Sequence, residues 1–440
     1  MKPDDFEKLV EEMTATGTDA APSVDRDENA PAGMDRRTFF ATAAGSAAGA
    51  AATLAMGARE AHAGDMLANV ADPEAICATG PDFSQIPQRL HEYPASDHAR
   101  QVVQDSMTMD SLFSGIWPTQ WSTPEAPEFH DEMDKLKAAG FKAIAACPSA
   151  DALDTSLGGI ANSLNFYLKK INERPESYKV VRTTADIDTA VAEGKLGIFF
   201  THQGTALFAG NPDMVGLWRQ LGYGYCLLAY NGRNTMGDGC FEEDNGRLTG
   251  IGKLLIDAYN RYGMIVDVSH TGERTAFDAI ERSQQPVISS HSVAKAVSDY
   301  QRSHSDGLLK AIGESGGVCS INMVGGFVDP TNPDIVTTEI LYRHIDHMVN
   351  LVGIDHVGFG SDWIPDITQT AISGMSPLGD LLFPDGGVLR AMSAKGVPTP
   401  APYQIVSALV DTLLENGWSD ADCGKFLGGN LYRVASDIWT

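Results

Sequence analysis

Met264-Ile265-Val266-Asp267-Val268-Ser269-His270 and Pro286-Val287-Ile288-Ser289-Ser290-His291 read as two short apolar runs, each closing on a histidine. Between them, Arg274–Ser283 has the spacing of an amphipathic helix. A strand, a helical crossover and a second strand form a parallel pair, since antiparallel neighbours need only a tight turn. Working outward, the same rhythm predicts strands at Val102–Met109, Ala143–Pro148, Leu196–Gln203, Tyr223–Tyr230, Gly317–Met323 and His356–Trp363. Helix-like stretches precede the fifth, seventh and eighth runs, at Gly252–Tyr262, Asp306–Ser315 and Thr338–Val352. Apolar strands alternating with amphipathic helices imply a parallel sheet covered on both faces. Eight such units imply an α/β fold of the (β/α)₈ TIM-barrel class.

The chain of 440 residues fits one barrel with insertions. Its net charge of −26 argues against nucleic acid or an anionic membrane as the main partner, because both would repel it. Residues 1–63 are expected to be an acidic leader and a twin-arginine signal region. Met34-Asp35-Arg36-Arg37-Thr38-Phe39-Phe40 precedes an Ala/Gly-rich stretch, and Ala61-His62-Ala63 offers a small-x-small cleavage site. The apolar stretch is too short and too rich in alanine and glycine for a permanent membrane span. The mature chain is expected to begin near Gly64 and to work in the periplasm or as a secreted protein. Residues 64–440 are expected to form a single domain. In it, 64–101 is an N-terminal extension, and 364–402, rich in Gly, Pro, Ser and Thr, is an insertion on the active face. Tyr403–Trp418 and Ser419–Ile438 are predicted closing helices.

Side chains at the C-terminal ends of barrel strands converge on one mouth. The predicted ends bring Asp110, Gln203, Tyr230, His270, His291 and Asp362 together there. Two histidines with two carboxylates form a zinc-ligand inventory, and three protein ligands with one open position make a catalytic site. The six cysteines form no CxxC pair, which excludes a cysteine-zinc site of the usual kind. No phosphate loop accompanies Gly237-Asp238-Gly239 or Gly316-Gly317.

The runs ending on His270 and His291, together with Val352–Asp362 and Leu427-Gly428-Gly429-Asn430-Leu431, resemble the membrane dipeptidase (renal-dipeptidase-like) metallopeptidase family. The resemblance covers roughly residues 100–365 and resumes at the C-terminus. It implies a barrel of the metal-dependent-hydrolase type, in a family that cleaves dipeptides with two zinc ions and often forms homodimers. The family pattern places a His-x-Asp after strand one and a bridging Glu after strand three. A His follows each of strands five and six, and an Asp follows strand eight. His270, His291, Asp362 and Asp110 match, whereas Thr108 and Gln203 stand where the first His and the bridging Glu are expected. Tyr230 replaces a histidine that assists carbonyl binding, and Arg302 stands where the family keeps an arginine for the substrate carboxylate.

Two dications about 3.5 Å apart repel by roughly 19 kcal/mol at an effective dielectric near 20. A bridging carboxylate offsets that repulsion, and neutral Gln203 does not. One zinc ion rather than two is therefore expected, held by His270, His291 and a carboxylate, with Asp362 or Asp110 as general base. The expected activity is metal-dependent hydrolysis of dipeptides or related small amides. The alternative is a catalytically eroded accessory protein that binds a peptide-like ligand, for example in periplasmic siderophore maturation.

Overall fold

The computed structural model describes residues 90–115, 128–151, 156–365 and 399–439. Nine strands lie among them: β1 (Met109–Phe113), β2 (Ala143–Ala146), β3 (Tyr178–Val180), β4 (Leu196–His202), β5 (Tyr223–Leu227), β6 (Ile265–Asp267), β7 (Val287–Ser292), β8 (Cys319–Ile321) and β9 (Val357–Phe359). Eight run in the order β1-β2-β4-β5-β6-β7-β8-β9, and the short β3 adds to β4. All of these pairings are parallel. The seam between β9 and β1 is drawn together by other bonds. Ser111 Oγ donates to the Phe359 carbonyl at 2.8 Å, and Asp362 N donates to the Leu112 carbonyl at 2.8 Å. The result is a nearly closed (β/α)₈ barrel, as the strand rhythm predicts.

Strand residues alternate between two packed layers, as a period of two requires. Ile144, Ile198 and Phe200 face the surrounding helices. Ala145, Phe199, Tyr225 and Ile288 face inward and pack with Leu431, Val434 and Trp439 of the C-terminal segment. The helix Asn430–Ile438 is thus a plug beneath the barrel. Gly428 lets it approach, because a Cβ there would lie 2.1 Å from the Met107 carbonyl oxygen.

Two sequence expectations need correction. Val102–Met109 is not the first strand; Asp97–Asp105 is a helix, and β1 starts only at Met109. Ala99, Val102 and Val103 share one buried helix face, and Ser96 Oγ caps the first turn by accepting from Ala99 N. β1 was hidden because Asp110 and Ser111 lie within it, fully buried and hydrogen-bonded. Ser419–Ile438 is also not one helix. It divides into Asp420–Gly424, a π turn over Lys425–Gly429, and Asn430–Ile438. The signal region 1–63, residues 64–89 of the extension and residues 366–398 of the insertion lie outside the described residues. Among the described residues no helix is long and apolar enough to cross a membrane.

Candidate functional site at the barrel mouth

His270 follows the C-terminal end of β6, His291 lies near the C-terminal end of β7, and their Nε2 atoms face each other at 2.9 Å. Each ring is oriented through its other nitrogen. His270 Nδ1 bonds Asn231 Oδ1 at 2.6 Å, and His291 Nδ1 bonds Ser290 Oγ at 2.7 Å. Tyr230 stacks on His270 with ring centroids 4.3 Å apart. Burial, and after it the nearby Arg302 charge, holds both imidazoles well below their ordinary pKa, so they are neutral. Arg302 is itself buried under the pair. Its Nη2 and Nε donate to His270 Nε2 at 2.9 and 3.2 Å, and Nη2 also donates to the His291 carbonyl at 2.9 Å. The guanidinium lies over the Phe327 ring at 4.9 Å. Donation from Arg302 requires a lone pair on His270 Nε2 and therefore a proton on its Nδ1, which Asn231 accepts.

Asp362 follows β9 and anchors a second cluster. Ser114 Oγ donates to Oδ1 at 2.5 Å, and Asn322 Nδ2 donates to Oδ2 at 2.8 Å. Gln203, after β4, reaches Ser114 Oγ through Nε2 at 3.4 Å. Asp362 also raises the Tyr230 phenol pKa, second to burial, so the two clusters share one electrostatic field. The backbone at the mouth is strained. Asn231, His270 and Asp362 have φ of 59°, 59° and 55°, in the left-handed region that costs a non-glycine residue on the order of 1–3 kcal/mol. Gly360 allows the approach to β7, since a Cβ there would lie 2.1 Å from the Ser290 carbonyl oxygen.

The structure therefore brings Tyr230, His270, His291 and Arg302 into one group and Gln203 and Asp362 into another. It places Asp110 and Thr108 elsewhere. Both stand at the start of β1, where Thr108 Oγ1 donates to the Val103 carbonyl at 2.8 Å. Asp110 accepts from Ser361 N at 2.8 Å, from Ser361 Oγ and from Leu112 N at 3.0 Å. Burial, ahead of these bonds and the Asp362 charge, raises its carboxyl pKa to about 6. A His-x-Asp pattern at the true end of β1 falls on Leu112-Phe113-Ser114, which offers no histidine and no carboxylate. Ser114, Asn322 and Asn231 escaped the sequence reading as functional side chains. Ser114 was lost with the misplaced first strand. Asn322 carried the same signal as the others, a polar residue directly after an apolar run.

These features define an α/β barrel with its polar side chains gathered at the strand ends. The sequence profile of the membrane dipeptidase family (peptidase family M19) matches residues 97–381, and the chain belongs to that family. It is 34% identical over 190 residues to an uncharacterized dipeptidase of Schizosaccharomyces pombe, covering 42% of this chain and 45% of that protein. It is 27% identical over 274 residues to dipeptidase aclJ of Aspergillus oryzae, covering 61% of this chain and 58% of that protein. The chain thus spans about half the length of these two curated relatives. A crystal structure of an amidohydrolase from Pseudomonas aeruginosa superposes with a TM-score of 0.65 at 26% identity, covering 78% of this chain and 99% of that one.

The donor set can be tested against the family's zinc. A two-ion centre does not fit, because Ser114 and Gln203 bring no negative charge to the Asp362 half. A single ion fits the histidine half in kind. Two neutral imidazoles present facing nitrogens, each fixed by a partner on its far side, which is how ligating histidines are held. Among the described residues no three His, Cys, Asp or Glu side chains already form a metal-ligating group.

Proposed function

We propose that the protein is an exported hydrolase of dipeptides or related small amides, acting with one zinc ion rather than two. The facing Nε2 atoms of His270 and His291 carry this reading, with Asp362 as the carboxylate that completes the ligand set. The bound ion would acidify a water at the mouth. The chain's own residues would do the rest. Asp362, held by Ser114 and Asn322, takes a proton from the attacking water and returns it to the leaving amine. Tyr230 donates its phenol proton to the substrate carbonyl, and Arg302 receives the substrate carboxylate. Asp110 and Gln203 are assigned to holding the seam and Ser114, not to the ion.

Export follows from the paired arginines and the small-residue site before Gly64, with residues 64–440 as one barrel domain working in the periplasm or outside the cell. A homodimer is the expected assembly. Metal content per chain, measured on mature protein purified without chelators, should be about one ion. Two ions per chain would overturn the single-ion reading.

A second reading has its own support. Leu112, Ser114 and Gln203 bring no carboxylate to the Asp362 half of the mouth, and Arg302 occupies the lone pair that an ion would take. A barrel that binds a peptide-like ligand without cleaving it, as an accessory in siderophore maturation, would look the same. No metal even after zinc is supplied, with retained ligand binding, would favour it.

A further inference from the structure

Behind His291 runs an unbroken row of hydroxyls. His291 Nδ1 bonds Ser290 Oγ at 2.7 Å, and Ser290 Oγ bonds Ser269 Oγ at 3.3 Å. Ser269 Oγ bonds Ser289 Oγ at 3.1 Å, and Ser289 Oγ bonds His304 Nε2 at 2.9 Å. The three serines and His291 are fully buried, and His304 is 4% exposed. Asp267 Oδ1 fixes the backbone beneath the row, accepting from Ser269 N at 2.9 Å and from Ser290 N at 3.1 Å. A hydroxyl or a neutral imidazole can give one proton and take another, so every member can pass a proton on.

The row has a direction. Ser269 Oγ also accepts from His291 N at 3.1 Å, which leaves it one lone pair and one proton. It must accept from one serine and donate to the other. The mouth decides which. His270 Nε2 is an acceptor, because Arg302 donates to it, so His291 carries its proton on Nε2 and takes one at Nδ1 from Ser290. Ser290 then accepts from Ser269, Ser269 from Ser289, and Ser289 from His304 Nε2. His304 lines a cavity of about 190 Å³ that also reaches the exposed Lys295 and Glu273. At the other end His291 is sealed, and Tyr230 stacks on its neighbour His270.

We propose that Ser290, Ser269 and Ser289 are a proton relay joining His291 at the mouth to the cavity beside His304. One passage moves each proton one place. A base bound at the mouth takes the proton of His291 Nε2, and Ser290 gives its own to His291 Nδ1. Ser269 replaces the proton of Ser290, Ser289 that of Ser269, and His304 Nε2 that of Ser289. His304 Nδ1 takes its new proton from a buffer acid in the cavity. One proton has crossed, and both rings end neutral, as their burial demands. The row then points the other way and is set to carry a proton back. The relay needs neither an ion nor hydrolysis in order to operate.

The test is exchange of the His291 ring proton with solvent, followed by NMR on the full chain isotope-labelled at its histidine nitrogens. Ser269→Ala cuts the row and should slow this exchange about tenfold or more. Ser269→Thr keeps the hydroxyl and should exchange like the parent. A serine that serves packing alone gives the opposite sign, because a lost hydrogen bond loosens the surroundings and speeds exchange. Ser289→Ala cuts the row at another link and should act like Ser269→Ala, and it stands in should Ser269→Ala fold poorly. Exchange that is unchanged or faster in the alanine variants overturns the relay. Slowing in Ser269→Ala without slowing in Ser289→Ala overturns it as well, since the proton then does not travel by way of His304.

Discussion

The mouth of this barrel has two unlike halves. Behind β6 and β7, two neutral histidines face each other, each backed by a side chain that fixes its ring. Behind β1, β4 and β9, one carboxylate is satisfied by a serine and an asparagine, and a glutamine amide stands next to the serine. The first half keeps the chemistry of a metal site. The second has replaced charge by neutral hydrogen bonding. The contrast shows that a family's ligands need not be lost together. Histidines that satisfy one another through neutral partners cost little without an ion. A cluster of buried carboxylates without a cation would be prohibitive. Ser114 and Gln203 bring no such charge beside Asp362.

The largest expected effect breaks the histidine half. His270→Ala removes one of two converging nitrogens and the ring that Asn231 Oδ1 holds. Metal affinity should fall by more than the roughly 10–100-fold that outer-shell changes cost, and hydrolysis should fall to background. Retained metal or activity in that variant, measured by metal analysis and a dipeptide assay, would sink the metal reading. The next effect rebuilds the other half. Ser114→Asp with Gln203→Glu places two carboxylates beside Asp362. Without an ion these charges repel, so the double variant should be less stable in chelator and regain stability with zinc. Its metal content should rise from about one ion per chain toward two. An unchanged content would mean that the missing charge is not what limits the second site.

Much of this was legible in the sequence, and the failures have physical causes. Seven of the eight barrel strands were visible because apolar runs packed on both sides must be continuous. The histidines were visible because each ends such a run. β1 was not, since Asp110 and Ser111 are buried polar residues inside it, satisfied by Ser361, Ser290 and Phe359, partners about 180 to 250 residues away in the chain. That single displacement put Thr108 and Asp110 at the mouth on paper and concealed Ser114. Arg302 was visible as a carboxylate binder. Its grip on His270 is a tertiary contact that no spacing announces.

The smallest expected effect concerns pH and sets the two halves against each other. His304 lies behind the histidine pair, with Nε2 on Ser289 Oγ at 2.9 Å. Burial, and after it Arg302, lowers its pKa from 6.5 to about 3. The folded chain therefore refuses a proton that the unfolded chain accepts below pH 6.5, and this stability is lost as pH falls through that window. Asp110 behaves in the opposite sense. Its folded pKa of about 6 lies above the unfolded value, so the folded chain takes up the extra proton, and its contribution grows as pH falls from about 6 toward 4. Between pH 6.5 and 5 the His304 term amounts to about 1.5–2 kcal/mol. Urea unfolding of metal-free protein at the two pH values measures it. His304→Gln should lose less stability on acidification than the parent by about that amount, and Asp110→Asn should lose more than the parent. If His304→Gln follows the parent curve, the imidazole is reached by water and protonates in the folded chain. The histidine half would then be far less sealed than its hydrogen bonds imply.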